Sequence, residues 1–419
     1  MILPFLFFLA ACDPFSNGKD DTGHPCGAGT HWDGDACVVD EDTDTDADTD
    51  ADTDTDADSD ADGDSDADAD GDADTDADVD YDVCDDGIAP YSEIQDAVDA
   101  AVDGDVIRIC AGIWGGVEIA RQELSLVGVD GAAVTVIDGG SGTAVSLDDA
   151  TVALSGLTLT GTAPSTTEPA ALVADGSNLT VEDSVVSDSV ATDYAPAVLL
   201  TDSYAAWDGV VFQDNEVQVI LWAKDGGSLS LQHCTFHRNS YAPTLGWGGG
   251  LVYVYEVDLE FHNNLLHHNL ANHSELLCID ASTSTAWIYN NTIADNENIA
   301  SNPDVLRLRY SGITFENNIV ANNDGIGIWA QSGATVGYSD IYGNSGQQYY
   351  DPGGGSLGAT NIVIDPRFTD ASGGDYSLDT GFSPCIDAGN PLSGYNDPDG
   401  SRNDMGAFGG PYGIWTPAR

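Results

Sequence analysis

Lys and Arg are scarce in this chain: 10 of them stand against 72 Asp and Glu among 419 residues, for a formal net charge of −62. Nucleic-acid binding through a basic surface is therefore excluded, because the phosphates would be repelled. Anionic membrane surfaces are disfavoured for the same reason. The composition is still 42% hydrophobic, which is enough for a sizeable core.

Long apolar runs are also missing, and no stretch after the N-terminus could cross a bilayer as a helix. Residues 1–11 form one short apolar run that is typical of an export signal. The run ends in Leu9-Ala10-Ala11-Cys12, which resembles a bacterial lipobox, although no Lys or Arg precedes it. The resemblance implies lipidation of Cys12, with the lipid as the only membrane anchor and an exposed position on the cell envelope.

The chain has no CxxC pair, which argues against a zinc ribbon. Cys26 and Cys37 bracket a short Gly-rich loop, and Cys84 and Cys110 bracket the start of the folded region, so two disulfides are predicted in an exported protein. Three further cysteines remain: Cys234, Cys278 and Cys385. At least two of these three are predicted to be buried thiols.

Asp occupies every even position from Asp40 to Asp82, 22 in all. Such a tract repels itself and cannot bury apolar surface, so it is predicted to be a disordered linker. Asp-x-Asp-x-Asp-Gly occurs twice within it, at Asp58–Gly63 and Asp66–Gly71, but the distal Glu of a calcium loop is missing. Weak calcium uptake is the only cofactor that the sequence suggests.

The folded region begins with a predicted capping box at Ser92-Glu93-Ile94-Gln95, followed by apolar residues at helical spacing and by a strand at Val106–Ile109. Three apolar columns and one polar turn column then repeat about every 26 residues. The columns run from Val152 to Ala334, from Leu154 to Val336, from Leu159 to Ile341 and from Thr162 to Asn344.

This period indicates stacked coils, and the alternation within it indicates strands. Asn264, Asn291 and Asn318 recur between the second and third apolar columns. They are predicted to adopt the left-handed turn conformation and to hydrogen-bond along the stack. The predicted fold is all-β, a right-handed parallel β-helix with an N-terminal capping helix.

The motifs Asn-Asn-Thr-Ile-Ala-Asp-Asn and Asn-Asn-Ile-Val-Ala-Asn-Asn resemble the pectin-lyase-like β-helix superfamily, as do the capping helix and the closing Asp404-Met-Gly-Ala-Phe-Gly-Gly. The superfamily includes lyases, hydrolases, esterases and adhesins, so the fold does not give the function. The predicted organisation is a signal peptide (1–11), a cysteine-containing segment (12–39), the linker (40–82) and the β-helix domain with its C-terminal cap (83–419).

Alternation along the first strand of four coils predicts one outward face rich in rings and cations. Aromatic rings stack on sugars and Arg pairs with carboxylates, so this face is the predicted ligand site. Its residues are Trp222, Lys224, Tyr253, Tyr255, Asp280, Arg307 and Arg309. The resemblance implies that lyases of this fold use Arg or Lys as the base and acidic side chains for calcium, which makes Arg307, Arg309 and Asp280 the catalytic candidates.

His237 and His267 follow the third apolar column by one residue and should stack on neighbouring coils, which makes them candidate metal ligands. The sequence thus favours a polysaccharide-binding or surface-partner-binding lipoprotein. Two alternatives remain: a polysaccharide lyase or hydrolase on the same scaffold, and a structural stalk or adhesin.

Overall fold

A computed structural model describes residues 30–32 and 37–39, and then 81–417 apart from 164–167, 192–194, 242–249, 273–274, 302 and 332. The chain divides into two compact units, Met1–Asp74 and Thr75–Arg419. The first unit contains an antiparallel pair of strands, Thr30–Trp32 and Cys37–Val39. The lipidation motif, the Cys26–Cys37 pairing and most of the Asp-rich linker lie outside the described residues.

The second unit is a parallel β-helix made of three long sheets. The third of these is ten strands deep and purely parallel: Gly112–Gly115, Thr135–Asp138, Thr158–Thr160, Val185–Ser187, Val211–Gln213, Thr235–His237, Leu265–His267, Thr292–Ala294, Ile319–Ala321 and Asp340–Tyr342. Each strand pairs with its counterpart one coil away, which is the arrangement that the repeating columns predicted.

Two further sheets complete each coil, joined because the long strands Val198–Asp208 and Val219–Gln232 run through both. Apart from these two, the first sheet contains Val117–Ala120, Val145–Asp148, Leu172–Asp175, Gly250–Tyr255, Glu275–Asp280, Asp304–Arg309, Ile326–Gln331 and Tyr349–Tyr350. The second contains Asp105–Ile109, Glu123–Gly128, Thr151–Ser155, Asn178–Glu182, Asp258–His262, Ala286–Tyr289, Ile313–Glu316 and Thr335–Gly337. A short fourth sheet contains Glu216–Val217, Ser240–Tyr241, Leu270–Ala271 and Glu297–Asn298.

The three apolar columns point inward, as predicted, and are buried in all coils but the last, where Ala334 and Val336 are only partly buried. Aromatic side chains stack within this core, with the rings of Phe212 and Phe236 4.3 Å apart. Val252 and Val254 also face inward and are buried, as are their counterparts on the next strands, which fixes the register of the first sheet.

A helix, α1 (Ile94–Ala100), lies at the N-terminal side of the folded region and buries Ile94, Ala97 and Val98. The predicted capping box is wrong, because the N-cap is Glu93 and no side chain caps the helix. Gln95 is used differently: its Oε1 accepts the backbone N–H of Glu118 at 2.8 Å. It therefore ties α1 to the first strand of the first sheet.

The predicted disulfide joins Cys84 to Cys110. Cys234, Cys278 and Cys385 are free and buried. Burial raises the pKa of each of these thiols, so they remain protonated at neutral pH.

Two ladders of buried side chains run along the turns. At the turn after the third sheet, Ser189 is followed by Asn215, Asn239, Asn269, Asn296, Asn323 and Asn344, each asparagine amide donating to the next asparagine at 2.8–3.0 Å. At the turn between the second and third sheets, the Nδ2 of Asn264 donates to Asn291 and that of Asn291 donates to Asn318. The predicted hydrogen bonding along the stack is confirmed.

The prediction that these three asparagines are left-handed is wrong by one position. The positive φ angles belong to the preceding residues, Asn263, Asn290 and Asn317. The side chains of Asn263 and Asn290 turn outward and donate to carbonyl groups of the C-terminal segment, including Ala407 and Asp404. In each pair, therefore, one Asn hydrogen-bonds along the stack of coils, and the other hydrogen-bonds the C-terminal segment.

The C-terminal segment lies on the outer face of the third sheet. It contains the antiparallel strands Phe368–Asp370 and Asp375–Leu378 and the short 3-10 helices Ala371–Gly373 and Ser393–Tyr395. Apolar side chains of this segment, such as Tyr376 and Met405, are buried against Leu265 and Ile319 of the sheet. The second unit thereby covers the outer face of the third sheet over its later coils with its own chain, while Ile113 on the first strand of that sheet stays exposed.

We expect the Asn291→Ala variant to lose about 3 kcal/mol in free energy of unfolding. Asn291 is fully buried, donates to Phe261 O at 2.7 Å and to Asn318, and accepts the backbone N–H of Asn264 at 3.0 Å. Urea titration followed by circular dichroism measures the change. The exposed Asn178→Ala is the control, because its amide reaches only Thr151 at 3.3 Å, and an equal loss in both variants would contradict the role of the ladder.

Candidate functional site

The outward face of the first sheet brings the predicted ligand residues into two adjacent columns. One column runs Trp222, Tyr253, Cys278, Arg307, Trp329 and Tyr350 on successive coils, and the other runs Lys224, Tyr255, Asp280, Arg309 and Gln331. Both columns have the register that the sequence predicted. The outward face is defined below by these two columns.

Trp329 was missed by the sequence reasoning, although its signal is present. Ile328 and Ala330 are buried on either side of it, so the same alternation continues for one more coil. With strands about 4.8 Å apart, Trp222 and Trp329 stand roughly 19 Å apart along the helix axis. Tryptophan rings therefore lie toward both ends of the outward face, with Tyr350 one coil beyond Trp329.

The aromatic groups of this face are partly exposed and contact charged neighbours. Trp222 meets Tyr253 edge-on with ring centroids 5.8 Å apart, and Lys224 Nζ stands 5.9 Å from the Trp222 ring. At the other end the guanidinium of Arg307 lies 5.0 Å from the ring centroid of Trp329. Such planes are suited to stacking on the apolar face of a sugar ring.

The cations of the face are paired with carboxylates. The Nε and Nη2 of Arg307 donate to Asp304 Oδ2 at 2.9 and 2.6 Å, and its Nη1 contacts Glu275. Both carboxylates are more than nine-tenths buried. Burial raises the pKa of Asp304, an effect that the neighbouring Arg307 opposes. Arg307 is thus a structural counter-ion as well as part of the face.

Arg309 and Asp280 form a looser pair. Arg309 Nη1 stands 3.6 Å from Asp280 Oδ2, whereas Arg309 Nε and Asp280 Oδ1 are buried and have no hydrogen-bond partner in the described structure. The indole Nε1 of Trp222 is likewise buried and has no hydrogen-bond partner in the described structure. Buried polar atoms are normally satisfied, so these three atoms distinguish this part of the face from the fully paired surroundings of Arg307. Unpartnered atoms also occur off this face, at Trp207 Nε1 and Asn317 Nδ2 among others.

Proton abstraction has weak support in this arrangement. The Nε and Nη2 of Arg307 donate to Asp304 and its Nη1 contacts Glu275, so these nitrogens are engaged by carboxylates and are not placed to take a proton from a ligand. Burial raises the pKa of Tyr253 and of Cys278 to about 12, and both groups stay protonated at neutral pH. The chemistry that the described face supports is binding by stacking and hydrogen bonding.

The histidine pair lies elsewhere, at the junction between the third sheet and the C-terminal segment. The rings of His237 and His267 stack with centroids 5.4 Å apart, as predicted, but His237 also accepts from Arg238 and bonds Gln213, and His267 packs against Tyr376. Burial lowers the pKa of His267 to about 3. No group of three His, Cys, Asp or Glu suited to a metal ion occurs in the described part of the chain.

No described helix could span a bilayer. No family model and no curated protein matches the chain. Among solved structures, the chain is similar to a pectate lyase, at 13% identity over 76% of this chain and 91% of that one, with a TM-score of 0.35. It is also similar to two pectin methylesterase complexes with hexasaccharides, at 12% and 13% identity over 73% of this chain and 98% of each, with TM-scores of 0.32 and 0.28. Likeness at this level leaves substrate and reaction open.

We expect Arg307→Met to destabilise the domain by about 3–5 kcal/mol, because it leaves the buried Glu275 and Asp304 without their counter-ion. The triple variant Glu275→Gln, Asp304→Asn, Arg307→Met should recover most of that loss, since no unpaired charge remains. Thermal and urea unfolding of both variants measure the effect. A triple variant as unstable as the single one would contradict the counter-ion role.

Proposed function

We propose that the chain is an extracytoplasmic, envelope-anchored β-helix lipoprotein that binds polysaccharide on the outward face of its first sheet. The observation that carries the proposal is the register of Trp222, Tyr253, Arg307 and Trp329, which stand in one column of the outward face, with Cys278 on the coil between Tyr253 and Arg307. Rings and guanidinium planes along an axis match the repeating faces of an extended sugar chain.

The geometry of this face supports a binding protein better than a lyase or hydrolase. Its arginines are occupied by carboxylates at Glu275, Asp304 and Asp280, and none of these groups is poised as a base beside a free cation. A cell-surface partner that carries polysaccharide would present the same ligand chemistry. It would bind to the same face.

We expect Tyr253→Ala and Trp329→Ala each to weaken glycan affinity about fivefold to tenfold, because each removes one stacking ring. A glycan array selects the ligand, and calorimetry of the second unit measures the affinity. Trp287→Ala is the matched control: Trp287 is 57% exposed but lies on the second sheet. Equal losses for Trp287→Ala and Trp329→Ala, or no glycan bound at all, would contradict the proposal.

The proposed anchor is a lipid on Cys12, supported by the motif Leu9-Ala10-Ala11-Cys12 at the end of the apolar run. We expect the full chain expressed in a bacterium to enter the detergent phase on Triton X-114 separation, and Cys12→Ala to stay in the aqueous phase, because acyl chains supply the membrane affinity. Cys26→Ala is the control for loss of an N-terminal cysteine. A Cys12→Ala protein that still partitions into detergent would refute the anchor.

A further inference from the structure

The outward face of the first sheet holds three of the ten Lys and Arg residues of the chain, yet it carries no surplus of positive charge. Lys224 Nζ stands 2.9 Å from Asp225 Oδ2, and Arg309 stands opposite Asp280. Arg307 is shared by two carboxylates. Each cation described on this face is therefore already neutralised by the protein itself.

Charge repulsion disfavours the binding of a uronate-rich glycan to this face. The chain as a whole carries a formal charge of −62, so its field repels an anionic ligand. At Arg307 a ligand carboxylate would have to displace the buried Asp304 or Glu275, which is costly. At Arg309 it would stand beside the carboxylate of Asp280, which repels it.

Three polar atoms of the face lack a hydrogen-bond partner and are suited to hydroxyl groups. Asp280 is only 5% exposed, and its Oδ1 is an acceptor without a donor. Arg309 Nε is a donor without an acceptor, and so is Trp222 Nε1. A sugar hydroxyl both donates and accepts, so two adjacent hydroxyls can satisfy the acceptor and one donor together.

The side chains around Asp280 can give access to it. Its neighbours on the adjacent strands are Tyr255 and Arg309, whose exposed fractions are 38% for the residue and 36% for the side chain. Both side chains lie on the outward face, not in the core, so a change of rotamer toward solvent leaves the core packing intact. The unsatisfied oxygen lies behind two movable side chains.

We propose that the outward face reads a pair of adjacent hydroxyls on a neutral glycan, one donating to Asp280 and the other accepting from Arg309, and that it discriminates against uronate chains. This inference rests on the proposed function, since it names the ligand class of the same site. Tyr253 stacks on the sugar, with Trp222 standing edge-on to the tyrosine ring, and the hydroxyl pair sets the orientation of the sugar.

The experiment measures binding of the full chain to cellohexaose, mannohexaose, xylohexaose and hexagalacturonate by calorimetry, with calcium and with a chelator. Each neutral sugar is also presented after periodate treatment, which cleaves the carbon–carbon bond between adjacent hydroxyls. Titrations at about 20 and about 300 mM NaCl separate charge attraction from stacking and hydrogen bonding, since salt screens only the first.

We expect at least one neutral hexasaccharide to bind with an affinity that salt leaves unchanged and that periodate abolishes. Asp280→Asn should weaken it about tenfold or more, as for loss of a hydrogen bond to a charged group. Asp175→Asn, an exposed residue on the same sheet two coils before Lys224, is the control and should bind like the wild type. Melting curves establish that each variant is folded.

Tightest binding to hexagalacturonate, with or without calcium, would overturn the inference; if Tyr253→Ala also weakened that binding, the proposed function would stand. Neutral binding that survives periodate treatment, or that Asp280→Asn leaves unchanged, would overturn the inference in the same way. Binding of none of the four sugars, or binding insensitive to both Tyr253→Ala and Trp329→Ala, would overturn the proposed function as well.

Discussion

The buried asparagine ladders are the constraint on which the rest of the β-helix depends. Strands satisfy their backbone groups against the coils above and below, but a sharp turn leaves an N–H inside the stack. The Oδ1 of Asn291 accepts the N–H of Asn264, and Asn318 does the same for Asn291. Serine takes the same role in other coils, where Ser184 Oγ accepts the N–H of Leu157 and Ser339 Oγ that of Asn318. A side-chain acceptor that recurs at the same depth therefore fixes the coil-to-coil register. The register then decides which side chains face outward on the first sheet.

The sequence predicted those features that repeat. A period near 26 residues placed the inward columns, the turn ladders and the outward column through Tyr253 and Arg307, because each coil repeats the same physical requirement. Trp329 follows from the same rule. Features that occur once were missed or misplaced: Gln95 binds a strand edge instead of closing a capping box, and it has no counterpart elsewhere from which the error could be seen.

Charge pairing could not be predicted from the sequence for a different reason. With 72 acidic residues in the chain, proximity in sequence does not identify the partner of a given arginine. Arg307 selects Asp304 on its own strand and Glu275 one coil away, and that selection depends on a local arrangement in which Asp304 and Arg307 reach the same side. The candidate residues were therefore placed correctly on one face, while their electrostatic state came only from the structure.

The C-terminal segment packs on the outer face of the third sheet, and this junction can be compared with the open face of the first sheet. There the C-terminal segment supplies apolar side chains, and the turn asparagines Asn263 and Asn290 supply hydrogen bonds to its carbonyl groups. Rings such as Tyr376 are fully buried in that junction, with the hydroxyl donating to Asp295. On the first sheet, Trp222, Tyr253 and Trp329 stay partly exposed and the polar atoms at Asp280 and Arg309 stay unsatisfied. The junction also leaves polar atoms without a partner, such as Asn317 Nδ2 beside the C-terminal segment. What distinguishes the first sheet is that its unpartnered atoms at Asp280, Arg309 and Trp222 lie on the same face as partly exposed rings, where a ligand can reach both.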